Sequence, residues 1–339
     1  MNRSDPSVCR STNAIIRAEG LSKHFRVADK QPGLRGTIQH LLRRRYRDVE
    51  AVSELSFSIE AGEMVGFLGP NGAGKTTTLK MLSGLIHPSA GGLEVAGCLP
   101  QRRQERFLQQ ITLVMGNRQQ LIWDLPPLDS LQVNAAVYGI DAIEARRRIN
   151  ELAEMLELGE ELRRPVRKLS LGQRMKAELL AALLHRPAVL FLDEPTLGLD
   201  VNAQARVREF LADYNRRFGA TVLLTSHYMG DITALCERVL LIHQGKLFHD
   251  GALDALTTRL APCRQVRLDL RQTYPADQFK RFGVLESYQP HQVLLLIERE
   301  QLTRQVSRLL QTFEVVDLEV SDPPIEELIG GLFLQGAMP

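Results

Sequence analysis

The chain has 339 residues, with 42 Lys and Arg against 40 Asp and Glu and a formal net charge of +2. That balance excludes a polybasic nucleic-acid binder and an acidic disordered chain, and the length suits about two domains. Cys9, Cys98, Cys236 and Cys263 are scattered without a CxxC pair, so a reducing compartment is expected rather than a disulfide scaffold or zinc site. No apolar run reaches the ~20 residues of a membrane helix, and Met1 to Thr12 lacks the apolar core of a secretory signal.

In chain order, residues 1–13 read as a flexible polar tail, and a strand-like pattern starts at Ala14. Arg26 to Val49 form a basic segment with Arg43, Arg44 and Arg45 together, and Leu34, Ile38, Leu41 and Leu42 fall at near-helical spacing. This predicts a short amphipathic helix around 36–46. It either meets anionic headgroups or a membrane partner, or folds as a solvated helix on its own domain. From Ala51 to Leu256 strands and helices alternate. Met64–Leu68, Val189–Leu192 and Thr221–Leu224 are nearly unbroken apolar runs, as in parallel strands buried on both faces. Helical patterns cover Thr76–Leu85, Ala142–Leu158, Gly172–Leu184 and Asn202–Phe218. The order argues for an α/β core with right-handed crossovers, and about 103–185 reads as a mostly helical insertion. Beyond Pro262, strands at Gln265–Leu270, Val293–Ile297 and Val315–Val320 and a helix at Leu302–Phe313 make a small α/β domain, 257–339.

The strand ending at Leu68 runs into Gly69, Pro70, Asn71, Gly72, Ala73, Gly74, Lys75, Thr76 and Thr77. This is GxxxxGK[ST] between a strand and a helix, a phosphate loop. Its glycines let several N–H groups turn inward above a helix N-terminus, an anion cradle. Lys75 adds a positive charge for the β- and γ-phosphates, and the Thr76 hydroxyl is offered to Mg²⁺. Normal ATPase activity in Lys75→Ala would end this reading. The apolar run at 189–192 ends in Asp193 and Glu194. At a parallel strand's C-terminal end, Asp193 suits Mg²⁺ and Glu194 suits orienting or deprotonating water. His227 closes the third run and is placed to contact the γ-phosphate with Glu194. Asp200 reads first as a helix cap.

Leu169-Ser170-Leu171-Gly172-Gln173 stands before a helix and resembles the LSGGQ signature of the ATP-binding cassette (ABC) ATPases. Phosphate loop, signature, Asp-Glu pair, Asp200 loop and His227 follow one another in that family's order. There are 95 residues from Lys75 to Ser170, 23 from there to Asp193, and 33 from Glu194 to His227. The resemblance covers about residues 14–256. It implies a P-loop NTPase nucleotide-binding domain with a RecA-like core, an antiparallel β flank and a helical subdomain. It further implies head-to-tail pairing of two copies, with ATP and Mg²⁺ between the phosphate loop of one and Ser170, Leu171, Gly172 and Gln173 of the other. Asp200 then belongs to the loop facing the second subunit. Phe25 matches the aromatic that stacks on adenine. Leu171 stands where a glycine is usual. The family's glutamine between Mg²⁺ and the membrane partner falls near 115–120: direct register gives Gly116 or Asn117, and Gln119 is a shifted candidate. The basic segment 26–49 is longer than the usual connection there.

With no membrane span of its own, such a chain is expected to be a peripheral subunit at the cytoplasmic face of the cell membrane, powering separate permease subunits. Thr76 to Leu85 and the tail from Val315 to Leu334 look like the drug- and antibiotic-export ATPases that serve ABC-2-type permeases, and the basic insertion with the stretch Met115 to Pro126 resembles a viologen-type exporter subfamily, so drug-like or other hydrophobic or cationic compounds are the expected cargo. A soluble ABC ATPase acting on ribosomes or DNA, or a lipid or polysaccharide exporter subunit, is the alternative. Ribosome-acting members usually carry two cassettes, and DNA-repair members a long coiled coil that is not seen here. About 80 C-terminal residues are short for a sugar-binding sandwich of ~100 and better suit a regulatory or dimerising module.

Overall fold

The computed structural model describes residues 14–28, 46–116, 120–260 and 262–323, with side chains omitted at 257–260. The chain divides between Gly251 and Ala252 into two compact units.

The first unit opens with two long strands, β1 (Ala14–Ala28) and β2 (Tyr46–Glu60). They pair antiparallel from Ala14↔Glu60 out to Ala28↔Tyr46. Then come β3 (Met64–Leu68), α1 (Lys75–Leu82), β4 (Ala90–Val95), the single-turn α2 (Glu105–Leu108) and β5 (Ile111–Met115). Helices α3 (Pro127–Val137), α4 (Ala142–Met155) and α5 (Leu171–Leu183) follow. The unit closes with β6 (Val189–Asp193), α6 (Val201–Phe218), β7 (Thr221–Thr225), α7 (Met229–Leu235), β8 (Arg238–His243) and β9 (Lys246–Ala252).

Two sheets share the work. A six-stranded sheet has the order β5-β6-β7-β3-β8-β9, and the pairs from β5 through β8 are parallel. A three-stranded antiparallel sheet, β2-β1-β4, forms the flank. Phe67, Phe191, Leu223 and Leu240 of the first sheet and Ile16, Leu55 and Leu93 of the second are buried in one cluster. The apolar runs read as doubly buried strands are buried along their length: every residue of β7 is covered, and four of five in β3 and β6.

Several expectations need correcting. The basic insertion expected over 26–49 is strand at both ends, with Phe25↔Val49, Arg26↔Asp48 and Val27↔Arg47 in register. Opposite charges face one another there, Arg26 3.8 Å from Asp48, and the Arg26 guanidinium lies 5.5 Å from the Tyr46 ring centre. The helix expected around 36–46 lies outside the described residues, except for Tyr46 in β2. The mostly helical stretch 103–185 also contains β5, an edge strand of the main sheet, where Ile111 and Val114 are buried and the strand pairs with β6. Helix α1 stops at Leu82 rather than Leu85, because Gly84 turns at φ +70 where a Cβ would sit 2.3 Å from Pro100 O.

The second unit holds α8 (Leu253–Leu260), β10 (Cys263–Leu270), β11 (Val284–Gln289), β12 (Gln292–Glu298), α9 (Leu302–Thr312) and β13 (Val315–Ser321). Its sheet order is β11-β12-β10-β13, all antiparallel. That is the split β-α-β-β-α-β arrangement, with the first helix reduced to a single turn at Ala276–Gln278. Val266, Leu268, Val293, Leu295 and Ile297 alternate inward onto Phe279, Phe282, Leu309 and Phe313. β11 escapes the sequence pattern because it is an edge strand with only Leu285 turned inward.

Candidate functional site

β3, β6 and β7 are parallel neighbours, so their C-terminal ends open on one edge of the sheet, where such folds hold ligands. The phosphate loop follows β3. Ala73 N–H closes a turn on Pro70 O at 3.1 Å, and Gly74 (φ +106) leads into α1. A Cβ on Gly69 would fall 2.3 Å from Ile242 O, and one on Gly74 2.5 Å from Ala51 O. These two glycines are required by close backbone approach. Asn71 and Gly72 are exposed and Ala73 is buried. Thr77 is partly buried in the first turn of α1.

Lys75 is buried, and its ammonium donates to Gly69 O (2.6 Å) and Pro70 O (3.1 Å). Burial pushes its pKa down, while the carboxylates of Glu194 and Asp193 pull it up. The Thr76 hydroxyl donates to Asp193 Oδ2 at 3.0 Å, and the Thr225 hydroxyl donates to Asp193 Oδ1 at 2.7 Å. Thr76 and Asp193 thus present hard oxygen donors on the cleft, a set that fits Mg²⁺. Thr225 orients the acid from the end of β7. Sequence reasoning passed over it, although a threonine ending an apolar run just before Ser226 and His227 was the available signal.

Glu194 has φ +56, a left-handed conformation uncommon outside glycine. Its N–H is held by Thr225 O at 3.0 Å, and Glu194 Oε1 lies 2.8 Å from His227 Nε2. The structure therefore brings Lys75, Thr76, Asp193, Glu194 and His227 to one place. A cavity of 190 Å³ beside them is lined by Thr76, Lys80, Met115, Gly116, Asp193, Glu194 and Leu197. Gly116 N–H donates to Asp193 O at 2.9 Å. A Cβ there would be 2.4 Å from Glu194 O, so no side chain fits at 116. The glutamine-position candidates Asn117 and Gln119 lie outside the described residues.

Ser170 caps α5 in a full capping box. Its Oγ accepts from Gln173 N at 3.2 Å, and Gln173 Oε1 accepts from Ser170 N at 3.0 Å. Leu171 is 41% exposed, and Gly172 packs so that a Cβ would lie 3.1 Å from that of Ala203. The Leu171 side chain approaches Gly198, where a Cβ would stand 3.3 Å from it. Asp200 caps α6, with Oδ1 accepting from Ala203 N at 2.9 Å. None of Ser170, Leu171, Gly172, Gln173 and Asp200 lines the 190 Å³ cavity. Phe25 is 37% exposed, with the Lys23 ammonium 5.2 Å from its ring centre.

Loop 120–125 is tied to the signature region. Buried Glu178 on α5 accepts from the N–H groups of Gln120 (2.8 Å) and Leu121 (3.3 Å). Leu125 O and Trp123 O take the N–H groups of Val166 and Arg167 at 3.0 and 3.1 Å. The Arg174 guanidinium lies 5.3 Å from the Trp123 ring centre. Next to the 190 Å³ cavity is a larger one of 690 Å³, which shares Lys80 and Met115 with it and extends to Leu85, Gln120 and Tyr138.

A family model described as ABC transporter matches residues 52–197. Another, described as EvrA-like ABC transporter, C-terminal domain, matches residues 262–321. The ABC transporter ATP-binding protein NatA of Bacillus subtilis (strain 168) is 36% identical over 217 residues, which is 63% of this chain and 88% of the relative. The Nod factor export ATP-binding protein I of Burkholderia orbicola (strain AU 1054) is 38% identical over 225 residues, 66% of this chain and 73% of the relative. A solved structure of the ATP-binding subunit of an ABC transporter superposes with a TM-score of 0.59 at 25% identity, covering 72% of this chain and 92% of its own.

Proposed function

This chain belongs to the ATP-binding subunits of ABC transporters, and from that premise we propose that Glu194 and His227 direct water onto a γ-phosphate held by Lys75 and the loop Gly69–Thr77. As a member of that family the chain is an ATP-hydrolysing subunit of an exporter-type transporter.

The observation that carries the site reading is the convergence of Thr76, Thr225 and His227 on the adjacent acids Asp193 and Glu194. Backbone N–H groups of the loop other than that of Ala73, with the start of α1, are assigned to the phosphate oxygens. The Lys75 ammonium moves from the loop carbonyls to those oxygens. Thr76 and Asp193 would hold Mg²⁺, which when bound offsets charge between the β- and γ-phosphates. Glu194 Oε accepts a hydrogen bond from the attacking water and draws its proton. His227 Nε2 keeps that carboxylate in place. Positioning and charge stabilisation dominate this chemistry.

We place the signature against the nucleotide of a second copy. Ser170 and Leu171 are exposed, outside their own cleft. The Ser170 hydroxyl accepts from its own helix and keeps its hydrogen to donate outward, and Asp200 caps the helix whose Ala203 lies against Gly172. Phe25 is assigned to the adenine ring. The 690 Å³ cavity is assigned to a segment of a separate permease. It abuts the ATP cleft through Lys80 and Met115, and its Gln120 is fixed to the signature helix by Glu178. Among the described residues no helix is long and apolar enough to cross a membrane. The chain is accordingly assigned to the cytoplasmic face of the cell membrane, held there by its permease. The exported compound is read by that permease, and the relative named for Nod factor export makes a Nod factor the first cargo to try.

Steady-state ATPase assays test the site. Wild type hydrolyses ATP, Lys75→Ala loses nucleotide affinity, and Glu194→Gln binds without turnover. Normal hydrolysis by either variant overturns the assignment.

A further inference from the structure

Asp231 lies in the first turn of α7 and is fully buried, 0% exposed. The mechanism above makes no use of it. A carboxylate withdrawn from water is costly unless paired, and an apolar residue fills such a space at least as well. Its partners explain why an acid stands there. Oδ2 accepts from the hydroxyls of Thr196 and Ser226, the latter at 2.6 Å, and Oδ1 accepts from Arg208 Nη1 at 3.0 Å. These partners come from three segments. Thr196, 1% exposed, is two residues beyond Glu194. Ser226 immediately precedes His227, and Arg208 is on α6, the helix that Asp200 caps.

The ties bear directly on the reacting pair. Ser226 Oγ also accepts from Tyr228 N at 3.0 Å, so the residues on both sides of His227 are fixed. Glu194 sits at φ +56, a conformation that persists only when its surroundings hold it. Thr196 anchors the turn that leaves Glu194, with Leu199 N–H on Thr196 O at 3.1 Å. We infer that Asp231 is a positioning residue: by joining the turn after Glu194 to the turn carrying His227, it sets their 2.8 Å contact. The inference rests on the roles given to Glu194 and His227 above. Arg208 pairs with the buried acid at 3.0 Å, and it makes α6 the third member of the bracket.

The test is steady-state ATPase kinetics on the full chain. Asp231→Asn keeps the volume and replaces one acceptor by a donor. It is expected to lower kcat by about 10- to 100-fold, as loss of alignment does, with KM for ATP within about twofold. In a His227→Ala background the same substitution should cost less than about twofold more, because a residue acting through His227 has nothing left to align. A positioning role predicts this loss of additivity, whereas a general weakening of the fold multiplies through both backgrounds. Thr196→Val removes one hydroxyl and leaves the Asp231–Arg208 pair intact; it should show the same kcat-only loss and decides the question if Asp231→Asn does not fold. Wild-type kcat in either folded variant, a change confined to KM, or an undiminished loss on top of His227→Ala overturns the inference. Glu194→Gln is assayed alongside. Normal turnover there would sink the catalytic assignment, whereas its failure to turn over beside an active Asp231→Asn would sink only the role of Asp231.

Discussion

At the scale of single residues, the phosphate loop is set by what its backbone must approach. Gly69 and Gly72 both have positive φ, at 150 and 83, yet their surroundings differ. A methyl group on Gly69 meets Ile242 O at 2.3 Å, whereas nothing lies within 4 Å of one on Gly72. Gly69→Ala should therefore displace the loop and abolish ATP binding in a titration with a fluorescent ATP analogue. Gly72→Ala should cost only the left-handed penalty of about 1–2 kcal/mol and retain measurable binding. Equal affinities in the two variants would show that the Ile242 contact does not shape the loop. Gly69 and Gly74 are legible from sequence because GxxxxGK[ST] demands them. Gly116 is not, since only folding shows that β5 delivers it against Glu194 O.

At the scale of elements, the helix that starts at Ser170 joins two tasks. Its first turn is closed by the capping box, and its buried face carries Glu178 beneath loop 120–121. Ser170→Ala should lower stability by about 1 kcal/mol through loss of the cap, measured by urea unfolding. It should also slow hydrolysis while leaving ATP binding to an isolated subunit unchanged; unimpaired turnover would remove Ser170 from the partner's nucleotide. Glu178 is readable through pH. Burial pushes its carboxyl above the ordinary 4.5, against the opposing pull of the Gln120 and Leu121 N–H groups. A raised folded value means the native state binds the proton more tightly than the unfolded chain. Its stabilising contribution is complete below 4.5 and falls as pH rises through the raised value. The stability advantage of wild type over Glu178→Gln should thus be smaller at pH 8 than at pH 5 in thermal unfolding. A difference that grows with pH would contradict the sign. Sequence patterning places α5 correctly within a residue at each end, but it shows Glu178 only as one more polar position on an apolar helix.

At the scale of the whole molecule, hydrolysis is assigned to a pair of copies. Glu194→Gln removes the acceptor for the water proton and leaves the loop, Lys75 and Asp193 in place. With ATP this variant should elute as a stable dimer in size-exclusion chromatography, and wild type should elute as a monomer after turnover. A variant that stays monomeric with saturating ATP and Mg²⁺ would argue against the paired site. The C-terminal unit has a core of its own, which includes Phe279, Phe282 and Phe313.

The linear sequence by itself determined which residues stand in the phosphate loop, the acid pair, His227 and the signature. Each lies in a short contiguous motif whose residue types suit the phosphate, metal or water proposed for it, whatever surrounds them. It also determined the buried parallel strands, because a strand covered on both faces must be apolar throughout. The tertiary structure alone decided the rest. β5 joins the main sheet although it lies in a mostly helical stretch, and the ends of the basic segment pair as strands, because register depends on partners distant in the chain. Thr225 grips Asp193, and Asp231 brackets Glu194 and His227, because hydrogen bonds are made across space between segments that no spacing rule connects.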